Sequence, residues 1–246
     1  MSARISLCGT LLLAVASPVH AVATAFQNPA AADWGGWTRG AADTAFAGWE
    51  NFDAFIPVGF PAALPDNTPD VGKSGLQQAV VIPNNSGAFI TGGGTGGSLY
   101  SFADIMDVDV LLQPLASLPL GPVTVALQIS VLGTDIDPAK IRLNGQAWSE
   151  RRVLATGTAG APGGSGGTGT GVDNEYLYLW RNVSRAIAAQ PFAFDLTALG
   201  SSNSLDALFV DIGPALAAPP APVPLPGAAW LMLGGLGALR ARRRPD

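Results

Sequence analysis

The sequence predicts an all-β body, an antiparallel β-sandwich, and three observations predict it. Val123, Val125, Leu127, Ile129 and Val131 alternate with Thr124, Ala126, Gln128 and Ser130, and such a period of two marks a strand with one face buried and one wet. Turn formers punctuate the apolar runs, with 31 glycines and 20 prolines spread along the chain,. Helical periodicity is almost absent, and residues 186–190 alone read as a short helical turn,.

Residues 1–21 read as a secretory signal peptide. Arg4 supplies the basic start, residues 5–16 the apolar stretch, and Ala21, Ala23 and Ala25 the small residues at which cleavage can occur,. Cleavage is expected after Ala21, with positions up to 25 as alternatives. Any of the three removes Cys8 and His20, the single cysteine and the single histidine. The exported body then has no disulfide and must be stabilised by packing. About 200 residues follow before the proline-rich tail, one large domain or two small ones, and long enough to bury a real core.

The body, residues 22–213, opens on aromatics: Trp34, Trp37, Phe46, Trp49, Phe52, Phe55 and Phe60. They are either core anchors of a first strand and its loops or a platform for stacking on sugars. Prolines and turn formers make 57–75 an irregular connection. Strands are expected at 78–82, 87–91, 99–102 and 105–112, the last with Asp107 and Asp109 on one face and Val108 and Val110 on the other,. The alternating run 122–131 follows, then a turn at 135–138 and short strands at 141–143 and 152–155. Residues 156–171 are low-complexity Gly, Ser and Thr and read as a flexible loop,. In the strand 175–180, Tyr176, Tyr178 and Trp180 share one face and Leu177 and Leu179 the other,. Strands at 192–196 and 205–212 close the set.

Charge narrows the partners. All acidic residues but Asp246, and all basic residues but Arg4 and the four tail arginines, lie between 22 and 221, so the body carries a net charge of about −9,. Such a surface repels nucleic acid and anionic lipid and has no basic patch to follow a phosphate backbone.

Residues 214–221 form a Pro/Ala-rich linker, and residues 222–246 the closing segment. Pro226 is a natural start for a helix, because proline is tolerated in the first turn. Residues 227–239 carry no charge. At a rise of about 1.5 Å per residue they span about 20 Å, short for a bilayer core of about 30 Å. Arg240, Arg242, Arg243 and Arg244 stop the segment and are expected to stay cytoplasmic,. An ordinary membrane anchor or a buried core helix are the other readings of such a stretch, but a core helix does not end on an arginine cluster. Val223, Pro224, Leu225 and Pro226, followed by Gly-Ala-Ala-Trp-Leu and closed by Arg-Arg-Arg, resemble a PEP-CTERM sorting domain. Leu225 stands where that family carries a glutamate. The resemblance covers residues 222–244 and implies an exosortase as partner, transient residence in the inner membrane, and cleavage beside the proline motif. It also implies an exopolysaccharide-producing Gram-negative host. The runs 97–102 and 204–212 are similar to strands of galactose-binding-like jelly-roll modules, a likeness that bears on fold and not on ligand.

Little catalytic chemistry is on offer. Gly163-Gly-Ser-Gly-Gly167 has the spacing of a hydrolase elbow, yet no histidine is left to activate Ser165,. The glycine runs at 92–97 and 164–169 open no helix and so fail as dinucleotide loops,. A glycosidase needs two carboxylates, and nothing marks a pair among Glu50, Glu175 and the aspartates. The chain is therefore expected not to be an enzyme and to need no cofactor, with one weak exception. Asp135 and Asp137, in the turn at 135–138, are candidate calcium ligands, since calcium collects carboxylate and carbonyl oxygens from loops. Asp104, Asp107 and Asp109, and Asp173 with Glu175, are further carboxylate groupings. The expected role is that of an exported, sorted cell-surface or matrix protein of structural or interaction type. Contact with extracellular polysaccharide is the alternative.

Overall fold

The computed structural model describes residues 26–56, 62–91, 97–160, 170–186 and 190–215. Every regular element among them is a strand. In chain order these are β1 (Ala45–Trp49), β2 (Phe55–Ile56), β3 (Ala62–Ala63), β4 (Gly72–Ser74), β5 (Leu76–Pro83), β6 (Ala88–Ile90) and β7 (Leu99–Ser101). Then come β8 (Asp107–Pro114), β9 (Gly121–Gly133), β10 (Arg142–Leu143), β11 (Gln146–Ala147) and β12 (Glu150–Gly160). The last are β13 (Thr170–Arg185), β14 (Phe192–Thr197) and β15 (Asn203–Pro214). They form two antiparallel sheets. The larger runs β12-β13-β9-β15-β7-β6-β3-β2, with β1 also on β15 and β4 on β1. The smaller runs β11-β10-β14-β8-β5.

One core lies between the sheets. The odd residues of β9 from Val123 to Val131 meet Leu208, Val210 and Ile212 of β15 and Tyr176, Tyr178 and Trp180 of β13. Val108, Val110 and Leu112 of β8 and Phe192, Phe194 and Leu196 of β14 close the core from the other sheet. Trp180 bridges the layers. Its ring stands edge-on to Phe194 at 5.5 Å, and its Nε1 donates to the Gln146 carbonyl at 3.1 Å.

The outer face of β9 departs from expectation. Thr124, Gln128 and Ser130 are buried, not wet. The cause is residues 26–44, which cross the outside of β9, β13 and β15 as a strap. Trp34 and Trp37 pack with Ala126, Leu177 and Leu179 in a second apolar layer. Gln128 is spent on the strap: its Oε1 accepts from the Gln27 amide at 2.7 Å and its Nε2 donates to the Gln27 carbonyl at 3.0 Å. A buried amide side chain with both ends bonded imitates a strand partner and removes the need for water. Gly213 makes room for the strap, since a Cβ there would lie 2.2 Å from the Trp37 ring.

The strap also decides the question of the aromatics. Trp34, Trp37, Phe46, Trp49 and Phe52 are all buried, so of the two readings these rings are core anchors and not a platform for sugars. The low-complexity stretch is corrected as well. Residues 156–160 and 170–171 are strand, paired from Thr156↔Asn174 to Gly160↔Thr170. Backbone pairing with β13 carries the ladder on where the side chains supply no apolar pattern. The connection 57–75 contains two short strands, β3 and β4, again held by neighbours and not by composition. Residues 187–189 of the expected helical turn lie outside the described residues, as do the signal segment and residues 216–246.

The register gives the body two distinct ends. At one, Gly121 pairs Arg185 and Val123 pairs Pro214, so the chain leaves the body there. At the other, Gly133 pairs Val172 and Asn203. The first is the exit end and the second the far end.

Candidate functional site

The far end gathers three connections: 102–106, 134–141 and 198–202. They hold one another through backbone bonds. Thr134 N donates to the Ser202 carbonyl at 2.9 Å, Leu199 N to the Asp135 carbonyl at 2.8 Å, and Ala198 N to the Met106 carbonyl at 2.9 Å. Ser202 Oγ donates to the Phe102 carbonyl at 3.3 Å. Three large apolar side chains stay exposed on these loops: Phe102, 62% accessible, with Ile105 and Leu199.

Asp135 is the centre of the polar cluster behind them. Its Oδ1 accepts from the Ile136 amide at 2.8 Å, and its Oδ2 from the Tyr176 hydroxyl at 2.5 Å. Asn174 Nδ2 donates to the Tyr176 oxygen at 2.7 Å and to Asp135 Oδ2 at 3.4 Å. Arg151, on the neighbouring strand, sits over the Tyr176 ring at 4.4 Å and donates from Nε to the Tyr178 oxygen at 3.3 Å. Trp148 completes the set, edge-on to Tyr178 at 6.0 Å, with its Nε1 donating to the Pro138 carbonyl at 2.8 Å. Asp137 turns the other way and accepts the Ala139 amide at 2.9 Å.

The electrostatics follow from this packing. Burial pushes the Tyr178 phenol up to about 12, and the Arg151 guanidinium pulls it back only in part. Burial and the Asp135 carboxylate push Tyr176 up in the same sense. Burial works against the Arg151 charge, but its interactions with Tyr178 first, then Tyr176 and Asp135, outweigh it and hold the guanidinium above its ordinary value. Both phenols are therefore neutral at neutral pH and not bases: Tyr176 donates to Asp135, and Tyr178 accepts from Arg151.

Both candidate calcium ligands are in this loop, and they are committed differently. A cation at Asp135 would have to displace the Tyr176 and Asn174 donors from Oδ2, with Arg151 nearby. Among the described residues, no three acidic, histidine or cysteine side chains converge as metal ligands. Asp107 and Asp109 lie on the outer face of the small sheet, with Asp195 directly opposite Asp109. Burial, then Asp109 and Asp107, push the Asp195 carboxyl up. Asp104 is in the loop before β8, with its Oδ2 close to where a Cβ on Gly87 would stand. Of the remaining pair, Glu175 is buried and Asp173 exposed. The sorting residues Val223, Pro224, Leu225 and Pro226, and Arg240, Arg242, Arg243 and Arg244, lie outside the described residues.

No family profile, curated protein or solved structure matches the chain.

Sequence reading finds Asp135 and the shared face of Tyr176 and Tyr178, but not that they meet. Nor does it single out three other polar contacts. Arg39 forms a two-point pair with the wholly buried Asp211, at 2.6 and 2.8 Å. Arg152 bridges Asp33 of the strap at 2.6 Å and Glu150, which also holds Arg181 at 2.9 Å. Arg185, 1% exposed, donates to the carbonyls of Leu118, Pro119 and Leu115. Isolated arginines carry no sequence signal for such roles; only the fold brings their partners near.

Proposed function

We propose that the chain is an exported protein of the cell surface or extracellular matrix, structural or interacting in role, that an exosortase sorts and cuts beside residues 223–226. The observation that carries this reading is the order of segments in 222–244: a proline motif, an uncharged apolar stretch, then four arginines. A stretch of about 20 Å is too short for a comfortable permanent span and suits a segment held briefly and removed. The signal-like residues 1–21 support export, and the inner membrane is the partner before processing. We read the two-sheet body as a jelly-roll-like β-sandwich, a cargo stabilised by packing and ion pairs without any cysteine. Its acidity argues against nucleic acid as a partner. Deleting the exosortase is expected to leave a larger, membrane-retained form; unchanged size and location in that strain would remove the reading.

A polysaccharide-binding role keeps one specific support, the far end. There the exposed Phe102 ring and Asp137 belong to one loop group, and the polar cluster behind it includes Arg151 and Trp148, the kinds of side chain that stack on and bond to sugars. Titrating the body with the host's own polysaccharide, with tryptophan emission as the readout and Phe102→Ala as control, decides it. No shift would leave a passive structural role, and shortened glycans would point to an enzyme.

A further inference from the structure

The exit end is built unlike the far end. Its β8–β9 loop, residues 115–120, reads Leu-Ala-Ser-Leu-Pro-Leu and holds no charge. Leu118 is buried, while Leu115 and Leu120 stand out at 42% and 60% accessible. The loop is not slack. The Arg185 guanidinium is sealed beneath it and donates to the Leu115, Leu118 and Pro119 carbonyls, and Leu115 N donates to the Gly75 carbonyl at 3.0 Å. A desolvated cation spent on holding backbone gives the two leucines a fixed presentation.

Two further facts say what they face. Pro214 pairs Val123, three positions from Leu120 in the same chain, so the tail departs beside this loop. Residues 215–226 number twelve, and even fully extended they reach at most about 43 Å. A body of this size is itself about 40 Å across, so the exit end is held within about one body diameter of a bilayer that holds the segment after Pro226. Charge is the second fact. The segments bordering the loop carry Asp43 and Lys73, with Arg39 paired to Asp211, while the far end carries Asp104, Asp107, Asp135, Asp137 and Asp173 against Lys140. An acidic body near an anionic surface turns its aspartates away.

We propose that, while residues 227–239 hold the chain in the bilayer, the exit end lies on the membrane surface with Leu115 and Leu120 in the interfacial layer and the aspartate-rich end outward. The proposal rests on the membrane reading of that segment. Tethering makes a contact of two leucines count, because the surface is presented at high effective concentration. Release of the tail ends the contact, so the cleaved body leaves the surface.

The test uses the full chain in vesicles that contain a doxyl-quencher lipid. Single cysteines are placed at Leu120→Cys, Lys140→Cys and Leu231→Cys in a Cys8→Ser background and labelled with an environment-sensitive dye. Quenching at 231 and at 120, with little at 140, is the expected result. Replacing Leu115 by Asp is expected to reduce the quenching at 120 several-fold without changing that at 231. Equal quenching at 120 and 140, with 231 quenched, overturns the proposal and leaves the sorting reading intact. No quenching at 231 overturns both.

Discussion

Gly213→Ala is the sharpest perturbation of the strap. Gly213 has no positive φ, so alanine meets no backbone strain there. The added Cβ lies 2.2 Å from Cδ2 and 2.3 Å from Cε2 of Trp37. Carbon atoms prefer at least about 3.5 Å, so the ring must retreat by about 1.3 Å or more. These are fused-ring atoms and cannot swing aside like the tip of a flexible chain. Full exposure of a tryptophan that buries roughly 150–250 Å² costs about 4–6 kcal/mol at about 25 cal/mol per Å², an upper bound because the unfolded chain is not fully extended. A ring that shifts and keeps part of its contacts loses about half of that, and the lower chain entropy of alanine returns up to about 1 kcal/mol. The expected loss is about 1–3 kcal/mol, read from urea unfolding of the body by far-ultraviolet circular dichroism. Trp37→Ala alone is expected to cost about 3–5 kcal/mol. In that background Gly213→Ala is expected to be neutral or slightly stabilising, giving a large coupling term. A coupling below about 0.5 kcal/mol would refute the seating of Trp37 against Gly213.

Three other perturbations probe the polar contacts. Arg39→Met leaves Asp211 buried without its partner and is expected to cost about 3 kcal/mol near neutral pH. Burial already raises the Asp211 carboxyl against the pull of Arg39, so its stabilising share is complete below the ordinary carboxylate range and is lost as pH rises through the raised value. The Arg39→Met penalty should therefore shrink on acidification, and a pH-independent penalty would contradict the pairing. Tyr176 and Tyr178 should ionise later than an ordinary phenol in absorbance titration; Tyr178 contributes stability below pH 10 that is lost as pH rises through about 12,. Asp135→Asn should bring Tyr176 down while leaving Tyr178 high. Arg185→Met removes three carbonyl partners and should cost about 2–4 kcal/mol, with faster amide exchange confined first to residues 115–120.

The inner half of the body was legible because it obeys a period of two. The odd residues of β9, the Tyr176–Trp180 face and the Asp107–Val110 alternation all lie where that period puts them. The outer face was not legible, because Thr124, Gln128 and Ser130 have the composition of a wet face and become buried only when a distant segment crosses them. Gln128 shows the reason: its partner, Gln27, is 101 residues away. The paired ends of β12 and β13 were hidden for the opposite cause. Glycine and threonine carry no apolar pattern, and the ladder there depends on backbone bonds alone. At the candidate site Asp135 was visible as a turn carboxylate, but its partners Tyr176 and Asn174 belong to a strand read for its apolar face. The arginines were silent in sequence for the same physical reason, since an ion pair or a carbonyl brace is defined by contact and not by periodicity.

Intact-mass measurement of the protein recovered from the cell surface tests the central claim most directly. The expected dominant species begins at residue 22, 24 or 26 and ends at or beside residues 223–226, without Gly227 to Asp246. A dominant species that still carries Arg240 to Arg244 would contradict it and leave a plain membrane anchor in place of a sorting segment.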